Sequence, residues 1–353
     1  MMDVSKIDAN LKIETQIVRD GITFFDIKNE PFSIHGVFRE SDEYVRMPDR
    51  AARAVSGNVR VLSKNTAGGR VRFITDSPYV AIKAVQLGSP NMSHMPPSGQ
   101  AGFDIYERVE NEEVYVKTFI PSYASRDGFE SVVDFPDSKE RILTINFPLY
   151  FNVRELYVGI KAGSQLKAAP EYTHSLPIVF YGSSITQGGC ASRPGNSYQG
   201  FLSRWYDADY INLGFSGSAK GEDSMAEYIA ALDMSAFVYD YDYNAPTVEH
   251  LAQTHDRFYR TVRAAHPDIP IILMSRPAIN LSENEKKRSD IVYATYRDAL
   301  LRGERVYHIF GHELMELCGN EGTVDGCHPT DLGFFSMAKR LKKEFDKFID
   351  EKR

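Results

Sequence analysis

Apolar and polar positions follow two different patterns along the chain. From residue 1 to about residue 160, short apolar runs are separated by turns rich in glycine and proline. Leu143, Ile145 and Phe147 alternate with polar residues, which is the period of two of a strand with one buried face. Many short strands in succession are typical of a β-sandwich or jelly roll. We therefore predict an all-β domain over residues 1–165.

The pattern changes after residue 177, where β-like runs alternate with stretches of helical periodicity. Alternating strands and helices indicate a parallel sheet with helices on both faces, and we predict such an α/β domain over residues 177–353. Residues 162–176 carry little periodicity and are interpreted as the connector. The predicted strands are 178–181, 210–213, 237–239, 271–274 and 305–309, and the predicted helices include 247–266, 283–302 and 330–349.

Length and charge limit the classes of protein to which this chain can belong. A chain of 353 residues is long enough for two domains. The net charge of -7 argues against a nucleic-acid binder, which usually has a basic face. The apolar runs are too short to span a membrane. The first residues lack the pattern of a signal peptide, and the compartment stays open between the cytoplasm and, if a signal was removed, secretion or the periplasm.

The three cysteines, Cys190, Cys318 and Cys327, have no metal-ligand spacing. Three free thiols are the favoured interpretation, and one disulfide between two of them is the alternative. The histidines form no zinc-type cluster, so we predict no metal.

Candidate chemistry begins with the segment Gly182–Gly188, which directly follows the apolar run 178–181. Ser184 would lie on a tight turn between a strand and a helix. Asp325 and His328 stand three residues apart near the end of the chain. The order Ser, Asp, His is that of a nucleophilic hydrolase, in which a histidine activates the serine.

Two further segments follow predicted strands, Asn212–Gly217 and Asp242–Asn244. With them, residues 177–345 resemble an SGNH hydrolase of the GDSL esterase and lipase superfamily. The positions that match its four motifs are Ser184, Gly217, Asn244 and His328, and Asp325 matches the third member of the triad. The resemblance implies a flavodoxin-like fold.

The resemblance also implies a role for each matching residue. Ser184 would be the nucleophile, His328 its base and then the acid for the departing alcohol, and Asp325 the group that orients the imidazole. The N–H groups of Ser184 and Gly217 and the amide of Asn244 would form the oxyanion hole. This chemistry needs no cofactor.

The chain departs from the superfamily at two places. Ser183 stands where the family usually has the Asp of Gly-Asp-Ser, and Asp242–Ala245 lacks the Gly and the final Asp of Gly-x-Asn-Asp.

In the β-rich half, Gly102–Tyr106 resembles the Gly-x-Asp-Leu-Tyr signature of an N-terminal domain found before certain SGNH esterases, with Ile in place of Leu. This domain either shapes access of the substrate or serves only stability, and both interpretations stay open.

Two residues outside these motifs are secondary candidates. Arg276 follows the fourth strand of the α/β half, and we hypothesise that it binds an anionic or hydroxyl-rich group of the substrate; a salt bridge to a surface carboxylate is the alternative. His94 lies in a loop before Pro96 and is interpreted as a surface residue, in a loop that can overhang the pocket.

These observations predict a serine esterase that hydrolyses small acyl esters, above all acetyl esters. The subgroup resemblance implies a carbohydrate as the alcohol, so the expected partner is a small acyl ester or an acylated carbohydrate. One alternative is an acyltransferase that uses the same acyl-enzyme. Another is a carbohydrate-binding protein without catalysis, against which the intact Ser184, Asp325 and His328 argue.

Overall fold

A computed structural model describes residues 7, 8, 13 and 16–349. The ends of the two predicted domains, and the residues 1–6 inspected for a signal peptide, lie outside this part of the chain. Among the described residues, no helix combines the length and the apolar character that crossing a membrane requires. Cys190, Cys318 and Cys327 are free, as the favoured interpretation of the sequence expected.

The first half of the chain is an antiparallel β-sandwich. One sheet has the order β1-β11-β6-β9, and the other has the order β12-β5-β10-β7-β8, with β2 also paired to β5. The strands are β1 (Ile22–Asp26), β2 (Ser33–His35), β3 (Phe38–Glu40), β4 (Glu43–Val45), β5 (Arg70–Thr75), β6 (Tyr79–Val85), β7 (Phe103–Val109), β8 (Glu112–Phe119), β9 (Phe129–Asp134), β10 (Arg141–Asn146), β11 (Glu155–Lys161) and β12 (Leu166–Lys167).

The alternation seen in the sequence explains how the two sheets pack. Leu143 and Ile145 of β10 point into the sandwich and are fully buried. They share one apolar cluster with Val80 and Ile82 of β6, in the opposite sheet. The apolar inner face is the one that a period of two predicts. Thr144 and Asn146 on the other face of β10 are buried as well, which the alternation did not predict.

The second half is a five-stranded parallel sheet of order β14-β13-β15-β16-β17. Counted within this half, the order is 2-1-3-4-5, the flavodoxin-like order, in which ligands bind beyond the carboxyl ends of the strands. The predicted α/β fold is thereby confirmed. Its strands are β13 (His174–Gly182), β14 (Ala208–Gly214), β15 (Ala236–Asp240), β16 (Ile271–Met274) and β17 (Val306–Ile309).

Helices cover both faces of this sheet. Two apolar clusters, one on each face, hold the strands against the helices. Helix α7 (Val248–Ala265) has an apolar side that packs on the sheet, since Leu251, Phe258 and Val262 recur at helical spacing and are all buried. The helices of this half are α4 (Ser184–Gln187), α5 (Tyr198–Tyr206), α6 (Asp223–Ala230), α7 (Val248–Ala265), α8 (Glu283–Leu301), α9 (Gly311–Leu314) and α10 (Asp331–Phe345).

The β-rich half also contains helices, which its strand-like pattern did not predict. They are α1 (Asp49–Val55), α2 (Gly57–Leu62) and the short α3 (Pro97–Gln100). The side chain of Ser56 accepts a hydrogen bond from the N–H of Val59, so it caps α2. Met47, Ala52 and Val59 are fully buried in the same apolar cluster as the parallel sheet. This segment therefore packs against the α/β half.

Buried arginines bind the two halves together. Arg46 donates to the carbonyl oxygens of Gly214 at 2.7 Å and Asn212 at 3.0 Å, at the end of β14. Arg70 forms a buried ion pair with Asp209 and donates to the carbonyl of Tyr210 at 3.1 Å. A buried guanidinium is tolerated because its donors reach acceptors.

Candidate active site

The turn between β13 and α4 presents Ser184 at the carboxyl end of the sheet. A side chain at Gly182 would lie 2.2 Å from the carbonyl oxygen of Asp240, so only glycine fits there. Ser183 caps the short helix, since its hydroxyl accepts from the N–H of Ile185 at 3.2 Å. The position that usually holds Asp in this motif thus serves here as a helix cap. Ser184 itself is half-buried.

His328 and Asp325 meet Ser184 in one hydrogen-bonded row. The Oγ of Ser184 lies 2.9 Å from Nε2 of His328, and Nδ1 of His328 lies 2.8 Å from Oδ2 of Asp325. The N–H groups of Cys327 and His328 donate to Oδ1 of Asp325 at 3.0 and 2.7 Å. Partial burial tends to raise the pKa of Asp325, but these N–H groups and the imidazole outweigh it and lower that pKa to about 2. The carboxylate is therefore ionised at neutral pH.

Gly217 and Asn244 lie on the loops after β14 and β15. Asn244 Nδ2 donates to the carbonyl of Phe215 at 3.1 Å, which joins the two loops. Gly217 is exposed, with a φ of +63° that favours glycine. Within the described part of the chain, no hydrogen bond uses the N–H of Ser184 or of Gly217. Both donors are available to a ligand.

Gln187, to which the sequence analysis gave no role, braces this loop. Its Oε1 accepts from the N–H of Ser216 at 3.0 Å, and its Nε2 donates to the carbonyl of Leu149 at 3.2 Å. It thereby connects the serine turn with the loop of Gly217 and with the β-sandwich. Gln187 lies three residues after Ser184, within the serine motif, and this position is the sequence feature from which a role near the site could be predicted.

Tyr150 is a second residue that the sequence analysis missed. Its hydroxyl donates to the carbonyl oxygen of Ser184 at 3.1 Å, from the segment between β10 and β11 of the β-sandwich. Burial raises the pKa of Tyr150, so the phenol stays protonated and able to donate. No local pattern signals such a contact, because the two residues lie in different halves of the chain.

Arg276, for which we hypothesise a contact with the substrate, contacts protein groups in the structure, and its role toward a substrate stays a prediction. Its guanidinium forms an ion pair with Glu285 and donates to the carbonyl of Gly326 at 3.2 Å. It also stacks on the ring of Tyr243, 3.7 Å from the centroid. With 9% of its surface exposed, Arg276 supports the loop that carries Asp325 and His328.

Two buried carboxyl groups lie beneath the site. Oδ2 of Asp240 accepts from the hydroxyl of Thr186 at 2.9 Å, and Oδ2 of Asp242 accepts from the N–H of Arg276 at 3.2 Å. Burial, and then the charge of Asp242, raises the pKa of Asp240 to about 8. Burial raises the pKa of Asp242 to about 6.

The Gly102–Tyr106 motif fastens the β-sandwich to the loop that follows α4. Oδ2 of the fully buried Asp104 accepts from the N–H of Gly195 at 2.8 Å and from Arg193 at 3.2 Å, and its Oδ1 accepts from Asn146 at 2.7 Å. The hydroxyl of Tyr106 also contacts Arg193. The motif thus connects the β-sandwich to the α/β half through hydrogen bonds and an ion pair.

His94 reaches the same site from the β-sandwich. Its ring centroid lies 5.7 Å from that of His328. A nitrogen of each ring and the sulfur of Cys190 lie within 4.8 Å of one another. These three residues show no metal-ligand spacing along the chain, because the fold assembles them from distant segments.

Comparison with known families accounts for both halves of the chain. Residues 175–346 match the GDSL-like lipase/acylhydrolase family, and residues 22–166 match the GxDLY domain described as the N-terminus of SGNH hydrolase-type esterases. The protein is an SGNH hydrolase of the GDSL family. It is accordingly a serine hydrolase that acts on ester bonds. A search among curated proteins found no significant match.

Solved structures resemble this SGNH hydrolase over nearly its whole length. A GDSL-like lipase from Bacteroides ovatus is 29% identical, with a TM-score of 0.84 over 94% of this chain and 100% of that one. The salicylyl-acyltransferase of a tetracycline biosynthetic pathway is 18% identical, with a TM-score of 0.75 over 94% and 98%. An acetyl xylan esterase from Butyrivibrio proteoclasticus is 13% identical, with a TM-score of 0.59 over 92% and 98%.

Proposed function

We propose that the protein removes small acyl groups, of acetyl size, from carbohydrates, with Ser184 as nucleophile, His328 as general base and acid, and Asp325 as the orienting carboxylate. The observation that carries the assignment is the unbroken row of contacts from Ser184 Oγ through His328 to Asp325, at 2.9 and 2.8 Å. A nucleophile, a base and an orienting group within hydrogen-bond reach are what this reaction requires.

In the first half of the reaction, Ser184 Oγ attacks the ester carbonyl while its proton passes to Nε2 of His328. The bond between carbonyl carbon and alcohol oxygen then breaks, and the alkoxide takes that proton from His328 and leaves as the alcohol. Water repeats the sequence on the acyl-enzyme and releases the carboxylic acid. Asp325 stays ionised and stabilises the imidazolium that forms twice in this cycle.

The negative oxygen of each tetrahedral intermediate needs donors that are already in place. The N–H groups of Ser184 and Gly217 and Nδ2 of Asn244 are proposed for this role. The absence of intramolecular partners for the two N–H groups supports it. Removal of one such donor typically costs about 10²–10³ in rate.

The carbohydrate part of the proposal draws on two solved structures of the same fold. One is an acetyl xylan esterase, and the other is a family two carbohydrate esterase from Clostridium thermocellum in complex with cellohexaose, which is 15% identical. The Gly102–Tyr106 motif, which places the chain in the subgroup with an N-terminal β-domain, is the sequence feature behind the same proposal.

Acyl transfer is the second candidate, because the salicylyl-acyltransferase matches this chain with a higher TM-score, 0.75, than the acetyl xylan esterase. In that reaction an alcohol other than water attacks the acyl-enzyme. The two candidates share every residue of the first half of the reaction and differ in the final acceptor. Analysis of the products formed with sugar acceptors in water separates them.

The test of the main proposal is turnover of p-nitrophenyl esters of two to eight acyl carbons beside acetylated xylo-oligosaccharides. We expect the two-carbon ester to be cleaved fastest and acetate to be released from the sugar. Ser184→Ala should lower kcat by at least about 10³-fold and abolish labelling by a fluorophosphonate. Unchanged turnover in this variant, with the fold intact by circular dichroism, would refute the assigned nucleophile.

A further inference from the structure

The loop between β6 and α3 carries His94 to the imidazole of His328. The two ring centroids are 5.7 Å apart, and the side chain of His94 is exposed. The loop belongs to the β-sandwich, whereas His328 belongs to the α/β half. An exposed side chain at this place borders the space that a substrate of Ser184 must enter.

This loop is held in position by contacts at both of its ends. The side-chain oxygen of Gln100 accepts from the N–H groups of Asn91 at 3.0 Å and Met92 at 3.1 Å. Met95, the next residue after His94, is 2% exposed and belongs to an apolar cluster of the α/β half. The hydroxyl of Ser98 donates to the carbonyl of Ser192 at 2.6 Å. These contacts fix the backbone on either side of His94.

The mechanism of ester cleavage determines which part of the substrate lies next to this loop. The departing alkoxide must take its proton from Nε2 of His328, so the alcohol half of the ester leaves beside that ring. In the oxyanion hole proposed above, the carbonyl oxygen of the ester points instead toward Gly217 and Asn244. A side chain next to His328 and outside the oxyanion hole therefore faces the alcohol. An imidazole both donates and accepts hydrogen bonds, which suits a neighbouring hydroxyl group.

We propose that His94 is a specificity-determining residue that hydrogen-bonds a hydroxyl of the alcohol half of the ester, so that the β-sandwich selects hydroxyl-rich alcohols. This inference rests on the proposed esterase function and names the residue that recognises the alcohol. It also assigns the β-sandwich a role in substrate binding, which the sequence had left open.

The first experiment compares His94→Ala with the wild type on esters that share an acyl group and differ in the alcohol. We expect kcat/KM for acetylated xylo-oligosaccharide to fall by about tenfold or more, mainly through KM, because a hydroxyl loses its partner. The value for p-nitrophenyl acetate should change by less than about twofold, since that alcohol has no second hydroxyl. His94→Asn, which keeps a donor and an acceptor, should recover part of the loss.

The matched control is His312→Ala, at an exposed histidine on α9 in another part of the fold, which should leave both substrates unaffected. Equal losses on both substrates in His94→Ala would mean a structural or general role and would overturn the proposal. No loss on the sugar ester would overturn it as well. If the wild type cleaves p-nitrophenyl acetate and no sugar ester, the carbohydrate proposal fails. In that case kcat/KM of His94→Ala and of the wild type is compared on glycerol monoacetate, whose alcohol carries further hydroxyl groups, and on ethyl acetate, whose alcohol carries none. A loss confined to glycerol monoacetate supports the role of His94, and equal losses or no loss would overturn it.

A second experiment tests the position of His94 without a sugar substrate. Imidazole nitrogens and cysteine sulfur bind zinc, and a nitrogen of His94, a nitrogen of His328 and the sulfur of Cys190 lie within 4.8 Å of one another. Burial raises the pKa of Cys190 to about 12, so zinc must displace the proton of this thiol to bind it. Zn²⁺ bound there would occupy His328 and inhibit cleavage of p-nitrophenyl acetate. We expect His94→Ala to weaken this inhibition by about tenfold or more, as loss of one ligand should. The ligand atoms of Asp325, Cys327 and His328 form a second group of this kind, which lacks His94. Equal inhibition of both proteins would therefore place the zinc on that second group, and it would count against a position of His94 beside the reacting atoms.

Discussion

The hydroxyl of Tyr150, in the β-sandwich half, donates a hydrogen bond to the backbone carbonyl of Ser184 at 3.1 Å. The N–H groups of Gly188 and Gly189 donate to the same oxygen at 3.1 and 2.8 Å. The turn that presents the serine is therefore braced from both halves of the molecule.

We expect Tyr150→Phe to lower the free energy of unfolding by about 1 kcal/mol, the net contribution of one hydrogen bond. Because Gly188 and Gly189 still hold the carbonyl of Ser184, kcat should fall by less than about tenfold. Urea denaturation and steady-state kinetics on p-nitrophenyl acetate measure the two effects. A loss of activity as large as that of Ser184→Ala would give the phenol a direct part in the reaction.

Asn244→Ala should lower kcat by about 10²–10³-fold with little change in KM, because a donor to the oxyanion matters most in the transition state. The amide of Asn244 also bonds the carbonyl of Phe215, so a melting temperature must accompany the kinetics. A variant of normal stability and normal kcat would exclude Asn244 from the oxyanion hole.

Asp325→Asn should lower kcat by about 10²–10⁴-fold, since an amide favours the wrong tautomer of His328.

The pKa of Asp325, about 2 in the folded protein, lies below its unfolded value near 3.8. The stability that its ionised form contributes is thus present above about pH 4 and is lost as the pH falls toward about 2. Activity lost between pH 7 and pH 5 must come from another group. An NMR titration of the Asp325 carboxyl group with a midpoint near pH 4 would contradict its low pKa.

Asp104→Ala should lower the free energy of unfolding by about 3–5 kcal/mol, because it leaves the partly buried Arg193 without its carboxylate. The control is Glu140→Gln, which breaks a half-exposed ion pair with Lys167 and should cost less than about 1 kcal/mol. Similar losses in the two variants would show that the Gly102–Tyr106 motif does not join the halves as described.

Asp240→Asn should flatten the dependence of the melting temperature on pH. The pKa of Asp240 is about 8 in the folded protein, above its unfolded value, so the folded state holds this proton more tightly. Its contribution to stability is present at low pH and is lost as the pH rises from about 4 to 8. Scanning calorimetry from pH 4 to pH 9 compares the slopes, and identical slopes in both proteins would mean that Asp240 titrates normally.

The sequence predicted the fold and the geometry around Ser184 where the signals were local. The strand that precedes Ser184 and the spacing of Asp325 and His328 are short-range patterns. The alternation of strands and helices predicts an α/β fold, and the flavodoxin-like order is what the resemblance to the superfamily implies. Helices α1 and α2 were missed because they have only 7 and 6 residues, which is too short for the helical period of their apolar side chains to stand out. The contacts of Tyr150, His94 and Arg276 depend on how distant segments meet.

Met47, Ala52 and Val59 fill part of the apolar cluster of the parallel sheet, although they precede most of the β-sandwich in the chain. A gene fragment for residues 175–353 alone would leave that apolar surface in contact with water, and we expect its product to aggregate. For the same reason, recombination between relatives at the linker would join surfaces that did not evolve together. The two halves of this hydrolase are thus expected to be inherited as one unit.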